Sequence, residues 1–392
     1  MEFNIPSSVY VHIPFCRRRC FYCDFPISVV GDRRNGNNSA TIAQYIEKLC
    51  EEIDRADNFG ESLKTIFFGG GTPSLLAVPQ LEQILARLDR RFGILADAEI
   101  SMEIDPGTFD FQQIKGFKSA GVNRFSLGTQ AFQSELLKAC GRTHTVEDIY
   151  TSIDLIRQAG IENFSLDLIS GLPHQTIDLW HDSLLKAIEL SPTHLSTYDL
   201  TIEPQTPFGK QLKPGEKPLP SDELTADLYR FAQRTLTHAG FEHYEISNYA
   251  KPGYQCQHNR VYWENRSFYG FGMGATSYLN GDRVARPRKL KEYYDWIKTS
   301  KSHREISQID LMLDSLMVGL RLKEGINLAQ FKQRFGQSKM AQVLKCLAPY
   351  EKVNWLELTP ERIRLTDPEG FLFSNVILTK LFATFEADES IV

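Results

Sequence analysis

The sequence has no run of 18 apolar residues, so nothing in it reads as a bilayer-spanning helix. Its first ten residues, MEFNIPSSVY, lack the basic-then-apolar form of a secretory signal. Positive charge is not in excess: 44 Lys and Arg against 49 Asp and Glu leave a net charge of −5. That balance argues against a generic nucleic-acid binder. Cysteines are few and odd in number, seven in 392 residues, which is not a disulfide framework. No Cys-x-x-Cys-His occurs, so covalent haem attachment of the c type is excluded. These absences predict a chain of the reducing cytoplasm with no nucleic-acid partner and at most peripheral membrane contact. The length and the 42% apolar content suit one large α/β barrel plus a smaller domain.

What is there begins at Tyr10–Phe25, YVHIPFCRRRCFYCDF. Cys16, Cys20 and Cys23 stand at C-x3-C-x2-C spacing in one short loop. Three thiolates this close share a metal centre or must be kept from oxidising one another. A structural zinc site wants a fourth ligand, for which His12 or Asp24 is at hand. A cubane iron–sulfur cluster takes one thiolate per iron, so three cysteines leave one iron open for a small molecule. A thioredoxin-like pair at Cys20 and Cys23 would leave Cys16 idle. Cys50, Cys140 and Cys346 are scattered and read as ordinary thiols.

Along the chain, short β-rich runs alternate with helical periodicity. Strands are expected to start near Val9, Thr65, Ala98, Val122, Asn163 and His194, with helices between them marked by Ile42, Tyr45, Ile46, Leu49 and Ile53 or by Leu81, Ile84, Leu85 and Leu88. An internal repeat supports this order: AGVNRFSL at 120–127 matches AGIENFSL at 159–166, with a fainter AGFEHYEI at 239–246. Each reads as a helix end, a glycine cap and a strand. Right-handed crossovers then give a wound parallel sheet with helices outside. Polar residues collect at the expected strand ends: Gly69-Gly70-Gly71-Thr72-Pro73, Glu103-Ile104-Asp105-Pro106, Gly128-Thr129-Gln130 and Asp167. Strand C-terminal ends are where such folds hold ligands. Bare glycine backbone can approach a charged group closely. Asp167 lies within an apolar strand and needs a partner, a ligand hydroxyl or a salt bridge. Three units are expected: a barrel over 1–250, an aromatic and glycine-rich connecting segment over 251–303, and a domain over 304–392 whose helices and hairpin have a winged-helix look.

The cysteine spacing, with the GGGTP turn downstream, resembles the radical S-adenosylmethionine (SAM) superfamily. Within it, YVHIPFC and CxYCDF are similar to the branch that holds oxygen-independent coproporphyrinogen III oxidase and the HemW haem chaperones. The resemblance covers nearly the whole chain. It implies a partial (β/α)6 barrel with Cys16, Cys20 and Cys23 holding a [4Fe–4S] cluster whose open iron chelates SAM. It also implies Tyr10 and Tyr22 against ligand and cluster, Gly70, Gly71 and Thr72 at the methionine end, Glu103 accepting from the SAM ammonium, and Gln130, Arg142 and Asp167 as further contacts. On the residues alone, Tyr10 and Tyr22 read equally as core aromatics. The oxidase carries a fourth cysteine two residues after the third; here that position is Phe25. His258-Asn259-Arg260-Val261-Tyr262-Trp263 resembles the H-N-x-x-Y-W box of the chaperones. The resemblance therefore implies haem bound at His258, delivery to respiratory haem proteins, and oxidative decarboxylation of coproporphyrinogen III as the alternative. The same box also reads as a satisfied core histidine among packing aromatics. Arg17, Arg18 and Arg19 read either as solvated or as a positive field that steers an acidic, flavodoxin-type reductant.

Overall fold

The computed structural model describes residues 5–32, 34–299 and 307–389. All six expected strands form: Ser8–Ile13, Leu63–Gly70, Ile94–Ile104, Arg124–Gln130, Phe164–Ser170 and His194–Asp199. They lie side by side in chain order, every neighbouring pair parallel. Helices return the chain between them; Ala40–Arg55 and Val78–Phe92 bury the predicted apolar stripes. The repeat glycines Gly121, Gly160 and Gly240 all have positive φ, the conformation that ends a helix with no Cβ penalty.

The sheet has nine strands rather than six. Tyr269–Phe271 adds in parallel beside Ser8–Ile13, and the hairpin Glu242–Glu245 with Asn248–Ala250 adds antiparallel beside His194–Asp199. Residues 269–271 of the segment that the sequence suggested as a connector are thus built into the barrel wall. Glu52 explains the attachment. Its buried carboxylate accepts from Arg286 Nε at 2.8 Å, the Gly272 amide at 2.9 Å and the Tyr293 hydroxyl at 2.7 Å. Gly272 (φ 99°) packs where an added Cβ would meet the His12 carbonyl at 2.6 Å. The segment thereby braces the strand that leads into the cysteine loop.

Alternation along the strands sorts the two faces. Val9, Val11, Ile66, Phe68, Ile100, Met102, Phe125, Leu127, Leu166, Leu168 and Leu195 are buried in the main apolar core. The alternate positions turn the other way: Tyr10, His12, Glu99, Ser101, Glu103, Arg124, Ser126, Ser165, Asp167, His194 and Ser196. The lumen is therefore polar, unlike the branched aliphatic filling of a closed (β/α)8 barrel.

The C-terminal unit runs helix Gln308–Gly319, strand Ile326–Asn327, helix Leu328–Lys352 broken at Gly336, and hairpin Leu356–Leu358 with Arg362–Leu365. That order is winged-helix-like. The expected boundary at 303–304 lies outside the described residues. Arg230 of the barrel grips Glu369 through two bonds of 2.7 and 2.9 Å, and His243 pairs with Asp367 at 2.8 Å. No helix among the described residues is long and apolar enough to cross a membrane.

The Glu52–Arg286 pair has both side chains 2% exposed, so removing one partner leaves a buried charge uncompensated. Arg286→Met should cost about 3–5 kcal/mol of stability in chemical denaturation.

Candidate functional site

A cavity of about 600 Å³ opens at the C-terminal end of the strands, within the range of small-molecule sites. Eleven predicted residues line it: Cys16, Cys20, Tyr22, Cys23, Gly70, Gly71, Thr72, Glu103, Gln130, Arg142 and Asp167. Seven of the eleven lie within the first 72 residues of the chain; Glu103, Gln130 and Asp167 lie on later strands and Arg142 on the loop after the helix Ser134–Ala139.

The cysteine loop is fastened from both sides. The amides of Gly71 and Thr72 donate to the carbonyls of Ile13 and Phe15 at 2.8 and 2.7 Å. A Cβ at Gly71 would meet Phe15 O at 2.7 Å, and one at Gly70 would enter the His12 ring, so the glycines serve close approach to the cysteine strand as well as to any ligand. From the other side, Arg142 donates to Asp105 Oδ1 at 2.5 Å and Gly128 O at 3.0 Å, and its Nη1 reaches Cys20 Sγ at 3.5 Å. The Thr72 hydroxyl lies 3.1 Å from Asp105 Oδ2 and 3.6 Å from Cys16 Sγ. Asp105 thus joins the glycine turn to the cluster loop. The sequence placed Asp105 at a strand end but assigned it no role; the E-I-D-P alternation, which puts it on the face of Glu103, was the available signal.

Arg19 is exposed, yet it is not without partners. Its guanidinium donates to the carbonyls of Cys23 at 3.0 Å, Phe25 at 3.1 Å and Ile27 at 3.4 Å. It thus folds the segment after the third cysteine around one cation. Arg17 donates to Gly107 O and Arg18 pairs with Asp32, both at the surface.

Burial pushes the Cys16 thiol up to about 12 and raises Cys23 as well, with Arg19 and Arg142 opposing the latter. Burial thus favours the protonated thiols, and binding of iron there would displace their protons. Among the described residues, no three His, Cys, Asp or Glu side chains converge on a point that could hold one ion. A cubane instead takes one thiolate at each of three corners, and three thiols spread along one cavity wall fit it.

Glu103 accepts the Gly70 amide at 2.9 Å, and burial, then the nearby Asp167 and Asp105, push its carboxyl up to about 8. Among the described residues Asp167 makes no salt bridge; serine hydroxyls surround it. Ser126 Oγ lies 3.0 and 2.9 Å from its two oxygens and Ser165 Oγ 3.2 Å from Oδ1. This hydroxyl cradle partly offsets the raising effect of burial. Gln130 sits at a register shift with φ 66°, a strained conformation for a non-glycine residue, of the kind found at functional sites.

Two predicted residues do not reach the cavity. Tyr10 lies one layer deeper, hydrogen-bonded to His12 Nδ1 at 3.0 Å and stacked on Phe67. His12 Nε2 faces the Pro26 carbonyl at 2.9 Å, which only accepts, so Tyr10 is the donor to a neutral ring. His258 is further away, at the opposite end of the barrel. Its Nδ1 bonds Thr65 Oγ1 at 2.7 Å and its Nε2 the Tyr262 hydroxyl at 2.8 Å. Thr65 is five residues before Gly70 on the same strand, about 16 Å along it. The ring is 0% exposed, stacks on Phe67, and burial depresses its pKa to about 3. Both nitrogens are hydrogen-bonded within the protein, as in a satisfied core histidine, so ligation of haem by His258 would require one of these bonds to be given up. Glu99 accepts the amides of Gln257 and His258 at 3.0 Å each, seating the box helix as a plug in the barrel floor.

Replacing Cys16, Cys20 or Cys23 by Ala should prevent anaerobic reconstitution to about four irons and four sulfides per chain, whereas Cys50→Ala and Cys346→Ala should leave it intact. Arg19→Gln should shorten the lifetime of the reconstituted chromophore in air, Arg19→Lys should restore part of it, and Arg18→Gln should not change it.

Family models match the chain in two places: the radical SAM superfamily over residues 10–187 and the HemN C-terminal domain over residues 306–373. A haem chaperone HemW of Synechocystis is 47% identical, with 98% of each chain covered. The haem chaperone HemW of Lactococcus lactis is 34% identical over 96% of this chain and 97% of that one. The structure of coproporphyrinogen III oxidase, HemN, from Escherichia coli superposes with a TM-score of 0.80 at 25% identity, covering 96% of this chain and 90% of that one. With relatives at 47% and 34% identity matched over nearly their full length, and with the radical SAM model over residues 10–187, the chain belongs to the HemW family of the radical SAM superfamily.

Proposed function

We propose that this chain is a cytoplasmic haem chaperone that binds haem, a [4Fe–4S] cluster and SAM and passes the haem to haem-dependent respiratory proteins. The observation that carries the reading is Phe25. It stands where the oxidase branch has its fourth cysteine, and its ring is 62% exposed at the cavity mouth. Cys16, Cys20 and Cys23 are the only cysteines that line this cavity among the described residues. The relatives that match over nearly the full length carry the haem-chaperone name.

Cys16, Cys20 and Cys23 would hold the cluster, and Glu103, Gln130, Arg142 and Asp167 the SAM. Bound there, the pair supplies one-electron reduction of a sulfonium. The chain's own part is positional. Asp105 and Arg142 lock the loop to the strand ends. Asp167, held by serine hydroxyls, offers carboxylate oxygens to a diol. Glu103 offers a carboxylate to an amine once it has lost its proton. Arg17 and Arg18 would attract an acidic, flavodoxin-type reductant, a salt-sensitive effect on rate.

Because burial pushes the Glu103 carboxyl up to about 8 and a cationic amine favours the ionised form, SAM affinity should rise with pH up to about 8. Below that, binding must expel a proton from Glu103. Glu103→Gln should flatten this slope, as measured by equilibrium binding at pH 6, 7 and 8 against the parent.

The functional test is one anaerobic, cluster-loaded preparation divided between two assays. Haem should titrate to saturation and move to an added apo haem protein, while coproporphyrinogen III should remain unchanged. Decarboxylation of coproporphyrinogen III would establish the oxidase reading that the HemN superposition favours.

A further inference from the structure

His258 lies in the barrel floor with both ring nitrogens bonded, whereas the cavity is lined in part by residues that neither the cluster nor SAM would use. Its wall there is apolar: Phe25, Ile27, Ile169, Tyr198 and Leu200. Phe25 and Tyr198 are 62% and 43% exposed. Two guanidiniums, Arg18 and Arg288, line the same mouth, with the carboxylates of Asp24, Asp199 and Glu203 also present.

Phe25 is not exposed because its loop is loose. Arg19 donates to the carbonyls on either side of it and to its own, those of Cys23, Phe25 and Ile27. Its neighbour Asp24 is held by Arg288, which bonds both the Asp24 carbonyl and its carboxylate, the latter at 3.1 Å. Pro26, which follows, is buried, its carbonyl taken by His12 Nε2 at 2.9 Å. The backbone on both sides of Phe25 is thus fastened by residues from three parts of the chain, while the ring stands in water. A large apolar ring presented this way on a fixed backbone marks a contact surface.

We infer that the mouth of the cavity is where haem docks, with Phe25 as the stacking platform and Arg18 and Arg288 facing the propionates. The inference rests on the haem-chaperone reading and supplies the location that reading lacks. A flat apolar macrocycle with two carboxylates at one edge matches a wall that offers an aromatic ring with two guanidiniums at the same mouth. Asp24, Asp199 and Glu203 line the mouth as well, so the propionates would be met by direct bonds from Arg18 and Arg288 and not by a net positive field. The partner that Arg18 holds at present, Asp32, makes a solvent-exposed surface pair, which contributes little and exchanges readily.

The test is titration of the cluster-loaded, SAM-bound protein with haemin, followed at the Soret band, with iron and sulfide content measured on the same samples. Phe25→Ala and Phe25→Asp should weaken haemin binding at least about tenfold, a change of 1.4 kcal/mol. Phe25→Trp should restore it, and Arg18→Gln should weaken it more at low salt than at high salt. All four variants should keep the parent's iron and sulfide content. Haemin affinity equal to the parent's in both Phe25→Ala and Phe25→Asp would overturn the inference while leaving the chaperone reading in place. A parent protein that takes up no haemin would overturn both.

Discussion

The Arg142–Asp105 pair is the interaction on which the site depends. The two side chains are 9% and 28% exposed, so a lone charge at either position would be left in a poorly solvated place. Together they satisfy one another and reach outward: Asp105 to Thr72 of the glycine turn, Arg142 to Cys20 and to Gly128 at the next strand end. One ion pair thereby sets the distance between the loop that carries the thiols and the strand ends that carry Glu103, Gln130 and Asp167. A buried pair of this kind adds little net stability. Its effect is on which arrangement is adopted.

The rest of the barrel follows the same economy of polar groups. Hydrophobic burial is directed outward, between strands and helices, and the lumen is filled with hydroxyls, imidazoles and carboxylates that bond each other. Ser126, Ser165 and Asp167 form one such group, and Ser165, His194 and Tyr244 another. At the floor, Glu99, Thr65, His258 and Tyr262 close the barrel with the box helix. A polar lumen is what allows carboxylates to stand beneath a cationic ligand. It also explains why the histidines inside, His12, His194 and His258, are held neutral by burial.

The cysteine loop is supported from remote parts of the chain. Glu52 and Tyr45 hold the turn at Gly272 and Met273 against the first strand. Gly274 packs against Pro26 where a Cβ would meet the ring at 2.1 Å, and Arg288 clasps Asp24. Segments more than 200 residues apart thereby fix the shape of a loop of ten residues, and the exposed ring of Phe25 is one product of that support.

Much was legible in the sequence because it depends on local order. The C-x3-C-x2-C spacing, the glycine turn behind a strand, the repeat with its glycine caps and the alternation that ends in Glu103 or Asp167 are all short-range patterns, and short-range patterns determine strands, turns and which residues share a strand end. Eleven of the predicted residues meet in one cavity for that reason. What no local pattern carries is the direction a side chain faces once distant segments pack. His258 and its neighbouring aromatics have the composition of a ligand site, yet the helix bearing them enters the barrel floor, where Thr65 and Tyr262 take both ring nitrogens. Arg19 has the composition of a solvated charge, yet three carbonyls curl around it. Spacing along the chain determined which residues could act together. Only the tertiary structure decided which polar atoms were already satisfied by others, because that depends on contacts between residues far apart in sequence.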